Sequence, residues 1–119
     1  MTSIAGQKCT AIRRIIVPEN LVEEVQIALG KALSKVTIGD PRLKEVRMGA
    51  LVSKKQVEAV QNSVQDIAKE AEIVYGNLEQ LDVLGAAAQK GAFISPILLR
   101  TDNPMEYVAV HEREAFGPV

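Results

Sequence analysis

The sequence predicts an α/β protein in which helices pack on a small, open sheet. Three observations support this class: a β-branched run near the N-terminus, two amphipathic stripes in the middle, and two short apolar runs in the second half. With 119 residues, 47% of them hydrophobic, the chain suits one domain with a real core.

The first half begins with a strand and a helix. Ala11 to Val17 has the β-branched density of a buried strand, and Pro18 ends its pairing. Asn20 is a good helix N-cap, with Glu23 at the third helical position as in a capping box. Apolar residues then recur at three- and four-residue spacing and predict an amphipathic helix: Leu21, Val22, Val25, Ala28, Leu29, Ala32 and Leu33.

A second helix follows a loop. Asp40 to Leu51 shows no sustained period and predicts a surface loop. Ser53 and Gln56 form another capping-box pattern. The stripe behind them predicts a helix that covers the sheet, and it consists of Val57, Val60, Val64, Ile67 and Ala71.

The second half predicts short strands separated by loops. Glu72 to Tyr75 is typical of a strand, and Leu78 to Gly91 of a loop with one helical turn at most. Phe93 to Arg100 predicts a strand that Pro96 interrupts. Tyr107 to Val110 is expected to add a short extended piece.

Composition excludes several classes of partner. The formal charge is −1 and the pI about 5.8, so we expect no binding to nucleic acid. No apolar run approaches the roughly 20 residues of a membrane span, and no signal peptide is recognisable. The single cysteine excludes an intrachain disulfide and suits a reducing compartment, so a cytoplasmic location is expected.

Cys9 is the first candidate for chemistry. It lies in the turn AGQKCTA, at the entrance of the predicted first strand, where a thiol is placed for exposure. A thiolate is a strong nucleophile, and a positive neighbour such as Lys8 favours the ionised form. The alternative is structural, because a free cysteine often packs simply as a small buried hydrophobe.

Two separated motifs resemble those of a known enzyme family. The pair GQKCTAIRR and EAFGPV, near opposite ends of the chain, resembles the aldehyde dehydrogenase superfamily. Within it, AGQKCTAIRRIIVP, MGALVS, KGAFISPILLR and VHEREAFGPV together resemble the semialdehyde dehydrogenase domains of bacterial phenylacetate degradation. The resemblance covers essentially the whole chain. It implies that residues 1–119 are a fragment of the catalytic domain, without the dinucleotide-binding domain and the segment that carries the general base.

The resemblance also implies roles for three residues. Cys9 matches the nucleophile that forms a thioester with the aldehyde substrate. Glu114 matches the carboxylate that binds the nicotinamide ribose, and Phe116 matches the ring beside the nicotinamide. NAD or NADP is implied for the full-length parent, which would act on a CoA-linked semialdehyde. None of the eight residues before Cys9 is Glu or Asn, the family's general base and oxyanion residue, so we expect the fragment alone to be inactive. The chain also lacks a glycine cluster that could hold phosphates, so we expect the fragment to bind no cofactor.

Two other functions remain open at this stage. Cys9 and His111 could form the thiol–imidazole pair of a cysteine hydrolase, or the chain could be a non-catalytic α/β interaction module. One His and one Cys do not make a zinc site, so no metal is expected. A fragment cut from a larger sheet leaves edges uncovered, and a homo-oligomer through those edges is expected.

Overall fold

The computed structural model describes residues 1–79 and 81–119, and no helix in these residues is long and apolar enough to cross a membrane. The elements in chain order are a 3-10 turn (Ser3–Gly6), a second 3-10 turn (Glu19–Leu21), helix α1 (Val22–Leu33), helix α2 (Lys54–Ile67), strand β1 (Glu72–Tyr75), strand β2 (Leu98–Arg100) and helix α3 (Ala109–Glu112).

The predicted strand at 11–17 is wrong. In the structure these residues belong to no helix or strand, and within the described residues no backbone hydrogen bond forms along Ile12 to Val17. Ile16 is 97% exposed and Ile12 is 67% exposed. A strand needs a partner to supply its hydrogen bonds, and no described segment lies in pairing position. The β-branched composition therefore produces an unpaired apolar segment on the surface.

Helix α1 forms as predicted, but its predicted cap is wrong. Leu21 takes the N-cap position without a side-chain hydrogen bond, because the Glu19–Leu21 turn precedes α1 and contains Asn20. Pro18 starts that turn by accepting a hydrogen bond from Leu21 N at 2.9 Å. Of the predicted stripe only Leu33 is fully buried.

Helix α2 is the core helix, as its stripe predicts. Ser53 caps it, since its Oγ accepts a hydrogen bond from Gln56 N at 3.1 Å. Val60, Val64 and Ile67 are buried. The side chain of Gln56 does not complete the capping box; it donates to the carbonyl oxygen of Phe116 at 2.9 Å.

The sheet has two antiparallel strands. Glu72 pairs with Arg100, Ile73 with Leu99 and Tyr75 with Leu98, with a bulge between Ile73 and Tyr75. The prediction for β1 is confirmed, whereas β2 is confined to the last three residues of the predicted Phe93–Arg100 strand. The α/β class with a small sheet and packed helices is confirmed.

The loops differ from expectation in two places. Asp40 to Leu51 is a loop, but Met48 and Leu51 are only 2% and 5% exposed, so it contributes to the core. The extended piece expected at Tyr107–Val110 is wrong, because α3 begins at Ala109. The described residues of the 78–91 loop hold no helix or strand; Gln80 lies outside them.

An apolar groove of about 500 Å³ runs between the unpaired 12–17 segment, α1 and the sheet. Ile15, Val25 and Leu99 are among its lining residues. Cys9, Glu114 and Phe116 do not line it, but Arg13 and Ala115 do, so the groove adjoins the predicted site.

Candidate active site

The motif around Cys9, AGQKCTA, and the C-terminal motif, EAFGPV, contact each other through their backbones. Gly6 has φ +73°, and a Cβ on it would lie 2.0 Å from the carbonyl oxygen of Gly117. Only glycine allows both the left-handed conformation and this close approach. Ala5 and Ala115 beside them are both buried in the core. Residues more than 100 positions apart in sequence thus form one local structure.

Cys9 lies in an exposed turn that follows this contact. Its thiol is free and exposed. Ala11 N donates to the carbonyl oxygen of Lys8 at 3.0 Å and closes the turn. Gln7 anchors the turn to the residues before α2, because its Oε1 accepts a hydrogen bond from Val52 N at 2.9 Å. Exposure excludes the structural reading of Cys9 as a buried hydrophobe.

Arg13 joins the Cys9 turn to the C-terminal motif. Its guanidinium donates to the carbonyl oxygens of Lys8 at 3.3 Å and Ala11 at 3.1 Å. The same group lies 3.4 Å from Glu114 Oε1 and 5.2 Å from the centre of the Phe116 ring. The Arg13 side chain is 15% exposed. It is therefore the cation at this site, whereas the predicted neighbour Lys8 is exposed.

The C-terminal motif presents a carboxylate and a ring. The Glu114 side chain is 62% exposed, and Phe116 is half-buried. Phe116 is fixed through its carbonyl oxygen, which accepts from Gln56 of α2. Val60, also on α2, packs under Gly117, where a Cβ would come within 2.6 Å of the valine side chain. Helix α2 thus sets the position of the motif.

Ion pairs at the end of α2 hold the segment that leads into this motif. Asp66 Oδ2 lies 3.5 Å from Arg113, and Glu70 Oε2 accepts a hydrogen bond from Ala109 N at 2.7 Å. A hydrogen bond from Lys69, with the charges of Lys69 and Arg113, lowers the pKa of Asp66. The carboxylate therefore stays ionised and keeps attracting Arg113.

His111 does not contact Cys9. Its Nε2 shares a hydrogen bond with the carbonyl oxygen of Pro104. The main-chain oxygens of Val110 and His111 accept hydrogen bonds from Arg14, the first at 2.7 Å. The thiol–imidazole pair of a cysteine hydrolase is not present among the described residues, and this alternative loses its geometric basis.

The sequence predicts Cys9, Glu114 and Phe116 as site residues but does not indicate the residues that connect them. Gln7 and Gln56 each bond to a backbone group far away in sequence, and Arg13 joins its own turn to the distant Glu114. The pair of arginines after Cys9 is the feature of the sequence that points to Arg13. It does not indicate which carbonyl oxygens accept hydrogen bonds from the guanidinium.

The whole chain also matches a known protein family. The model of the aldehyde dehydrogenase family matches residues 1–119. The chain belongs to the aldehyde dehydrogenase family, as the sequence resemblance predicts.

Individual relatives agree with this assignment. The chain is 39% identical, over all of its 119 residues, to a 3,4-dehydroadipyl-CoA semialdehyde dehydrogenase of Aromatoleum evansii. Among solved structures it resembles aldehyde dehydrogenase C of Pseudomonas syringae, a variant in complex with NAD+ and octanal (TM-score 0.79, 27% identity, 96% of this chain and 22% of that one). It also resembles betaine aldehyde dehydrogenase of Staphylococcus aureus in complex with NAD+ (TM-score 0.80, 26% identity, 97% and 22%).

The matched region is a minor part of each relative. The chain spans 23% of the length of the Aromatoleum enzyme and 22% of each of the two solved chains. The activity of a whole enzyme therefore remains a proposal for this chain.

Proposed function

We propose that residues 1–119 form part of the catalytic domain of an NAD(P)-dependent aldehyde dehydrogenase and supply its nucleophile and its nicotinamide-side contacts. The observation that carries this proposal is the contact between the two motifs. Arg13 donates a hydrogen bond to the turn that holds Cys9. Its guanidinium also forms an ion pair with Glu114 and lies over the Phe116 ring. A nucleophile and a cofactor-facing carboxylate must act in one site, and here a single side chain connects them.

Cys9 is the proposed nucleophile. Its thiolate attacks the aldehyde carbonyl carbon and forms a C–S bond, giving a tetrahedral thiohemiacetal whose oxygen carries the developing charge. The backbone N–H of Cys9 is the nearest candidate donor to that oxygen. NAD(P)+, when bound, supplies the acceptor for the hydride that leaves this carbon. The thioester left on Cys9 is then released as the acid by water.

Glu114 and Phe116 fit the proposed contacts with the cofactor. An ionised carboxylate accepts from both hydroxyls of a ribose diol, and the Glu114 side chain is exposed enough to do so. The ion pair with Arg13, which also bonds to the Cys9 turn, keeps the Glu114 carboxylate near that turn. The half-buried ring of Phe116 offers an apolar surface for the nicotinamide.

We propose a CoA-linked semialdehyde of phenylacetate or related aromatic degradation as the substrate. The 39% identity to a relative named 3,4-dehydroadipyl-CoA semialdehyde dehydrogenase supports this class. The chain alone is proposed to be inactive, because no residue before Cys9 is a Glu that could act as general base or an Asn that could stabilise the oxyanion. Loss of a positioned base alone lowers a rate by about 10²–10⁴.

Self-association and a cytoplasmic location complete the proposal. A second copy of the chain could form backbone hydrogen bonds with the unpaired 12–17 segment. It could also cover the apolar groove beside that segment. The free, exposed thiol suits a reducing compartment.

A segment exchange tests the catalytic role. Residues 1–119 replace the matching segment of the Aromatoleum semialdehyde dehydrogenase, and formation of NAD(P)H is followed with a simple aliphatic aldehyde. The proposal predicts turnover by the chimera, none above background for Cys9→Ala, and near-normal turnover for the matched control Thr10→Ala.

The isolated chain is assayed in parallel and is expected to form no NAD(P)H. Turnover by the isolated chain would mean that it contains a base and a cofactor site of its own. A folded chimera without activity would favour a non-catalytic interaction module.

A further inference from the structure

We propose that Arg13 is a positioning residue that holds the Cys9 turn, Gly6–Ala11, against the Glu114–Phe116 segment. This role is a refinement of the proposed function, because it concerns the alignment of its nucleophile with its cofactor contacts. The family resemblance assigns no role to Arg13, and no bond of the proposed reaction forms or breaks on it.

The guanidinium fills the inside of the turn. It donates to three main-chain oxygens, those of Gly6 at 3.3 Å, Lys8 at 3.3 Å and Ala11 at 3.1 Å. These oxygens lie on both sides of Cys9 in the sequence. Hydrogen bonds from a charged donor are stronger than those between neutral groups. The guanidinium therefore supports the conformation of the turn around the thiol, together with the Ala11–Lys8 and Val52–Gln7 hydrogen bonds.

The same guanidinium contacts the C-terminal motif through charge and through its flat face. Glu114 Oε1 lies 3.4 Å from a terminal nitrogen of Arg13, and the Phe116 ring centre lies 5.2 Å from the guanidinium carbon. Both are within the range of an ion pair and a cation–π contact. The Arg13 side chain is 15% exposed, whereas that of Glu114 is 62% exposed, so water screens the ion pair in part and its contribution is that of an exposed pair.

A lysine at position 13 cannot make the same set of contacts. An ammonium group has no planar face and no fork of donors that reaches several carbonyl oxygens at once. Arg13→Lys keeps the charge near Glu114 but loses the bonds to the turn. This difference separates a positioning role from a general need for positive charge.

Amide hydrogen exchange of the 119-residue chain, followed by NMR, tests the proposal without aldehyde or cofactor. The reporter is the Ala11 amide, which donates to the Lys8 oxygen that Arg13 also contacts. Arg13→Ala is expected to raise its exchange rate at least about tenfold, and Arg13→Lys to restore little of the protection. The amide of Val64 in α2 should keep its rate, which shows that the variants are folded.

The link to the C-terminal motif is tested by a double variant. Glu114→Gln is expected to raise Ala11 exchange about two- to fivefold in the parent chain, the size of an exposed ion pair. In the Arg13→Ala background the same substitution should change nothing further. Arg14→Ala, with the same loss of charge one residue away, should leave Ala11 exchange within about twofold of the parent.

Two results would overturn the positioning role. One is an equal effect of Glu114→Gln with and without Arg13, and the other is full protection in Arg13→Lys. Because no substrate is used, either result leaves the proposed catalysis standing. Conversely, coupled exchange together with an inactive segment-exchange chimera would reject the catalysis and keep the role of Arg13.

Discussion

The contact between Gly6 and Gly117 predicts that Gly6→Ala destabilises the chain. Gly6→Ala forces an L-residue into the left-handed region at φ +73°, which destabilises by about 1–2 kcal/mol. Its new Cβ would also lie 2.0 Å from the Gly117 oxygen, so one of the two backbones must move. Displacement of well-packed structure adds about 1–3 kcal/mol. The expected loss of unfolding free energy is therefore about 2–5 kcal/mol.

Urea denaturation followed by circular dichroism measures this loss, and Gly49→Ala is the matched control. A Cβ on Gly49 would have its nearest neighbour at 3.9 Å, in Pro41, so the control should change stability by no more than about 1 kcal/mol. If both variants unfold at the same urea concentration, Gly6 and Gly117 are not in contact. That result would refute the packing of the Cys9 motif against the C-terminal motif.

Three further predictions concern pH, helix capping and the unpaired segment. Hydrogen bonds from the side chain and backbone of Arg42 lower the pKa of Asp40 from 3.8 to about 2. Because the pKa is lower in the folded chain, the contribution of this pair to stability is present above about pH 4 and is lost as the pH falls to about 2. Arg42→Ala should return the pKa, measured by NMR titration, part of the way to 3.8, and an unchanged pKa contradicts the assignment. Ser53→Ala removes the cap of α2 and should lower the unfolding free energy by about 1 kcal/mol in urea denaturation, whereas no loss would mean that the cap is not formed in solution. Ile16→Lys should reduce self-association in light scattering, while Ile97→Ala, in the core, should instead lower stability by about 2–5 kcal/mol. A parent chain that is monomeric at all concentrations would contradict the proposed self-association.

Local patterns in this sequence predict the elements that depend on local rules. Helix α2 forms where its stripe and Ser53 place it, because capping and amphipathic burial act within one or two turns. Strand β1 is likewise found at Glu72–Tyr75. The Asn20 cap fails because Pro18 starts a tighter turn just before α1, a competition that a capping pattern alone does not reveal.

Elements that depend on distant partners were harder to predict. The β-branched run at 11–17 has strand composition, but pairing needs a neighbouring strand that the described residues do not supply. The same holds at the site: motif resemblance suggested Cys9, Glu114 and Phe116 one by one. Arg13 connects them because the folded chain places carbonyl oxygens next to its guanidinium. The spacing of residues in the sequence does not predict this placement.

If Cys9 is the nucleophile, an acyl intermediate forms on its sulfur beside the Glu114–Phe116 segment, and this intermediate can be trapped. The segment-exchange chimera is quenched with acid during turnover of an aliphatic aldehyde with NAD(P)+, and its peptides are analysed by mass spectrometry. The proposed role of Cys9 predicts an acyl mass on the peptide that contains Cys9 and none in the Cys9→Ala variant. Turnover with the acyl group on another residue, or with no trapped adduct while Cys9→Ala stays active, would contradict it.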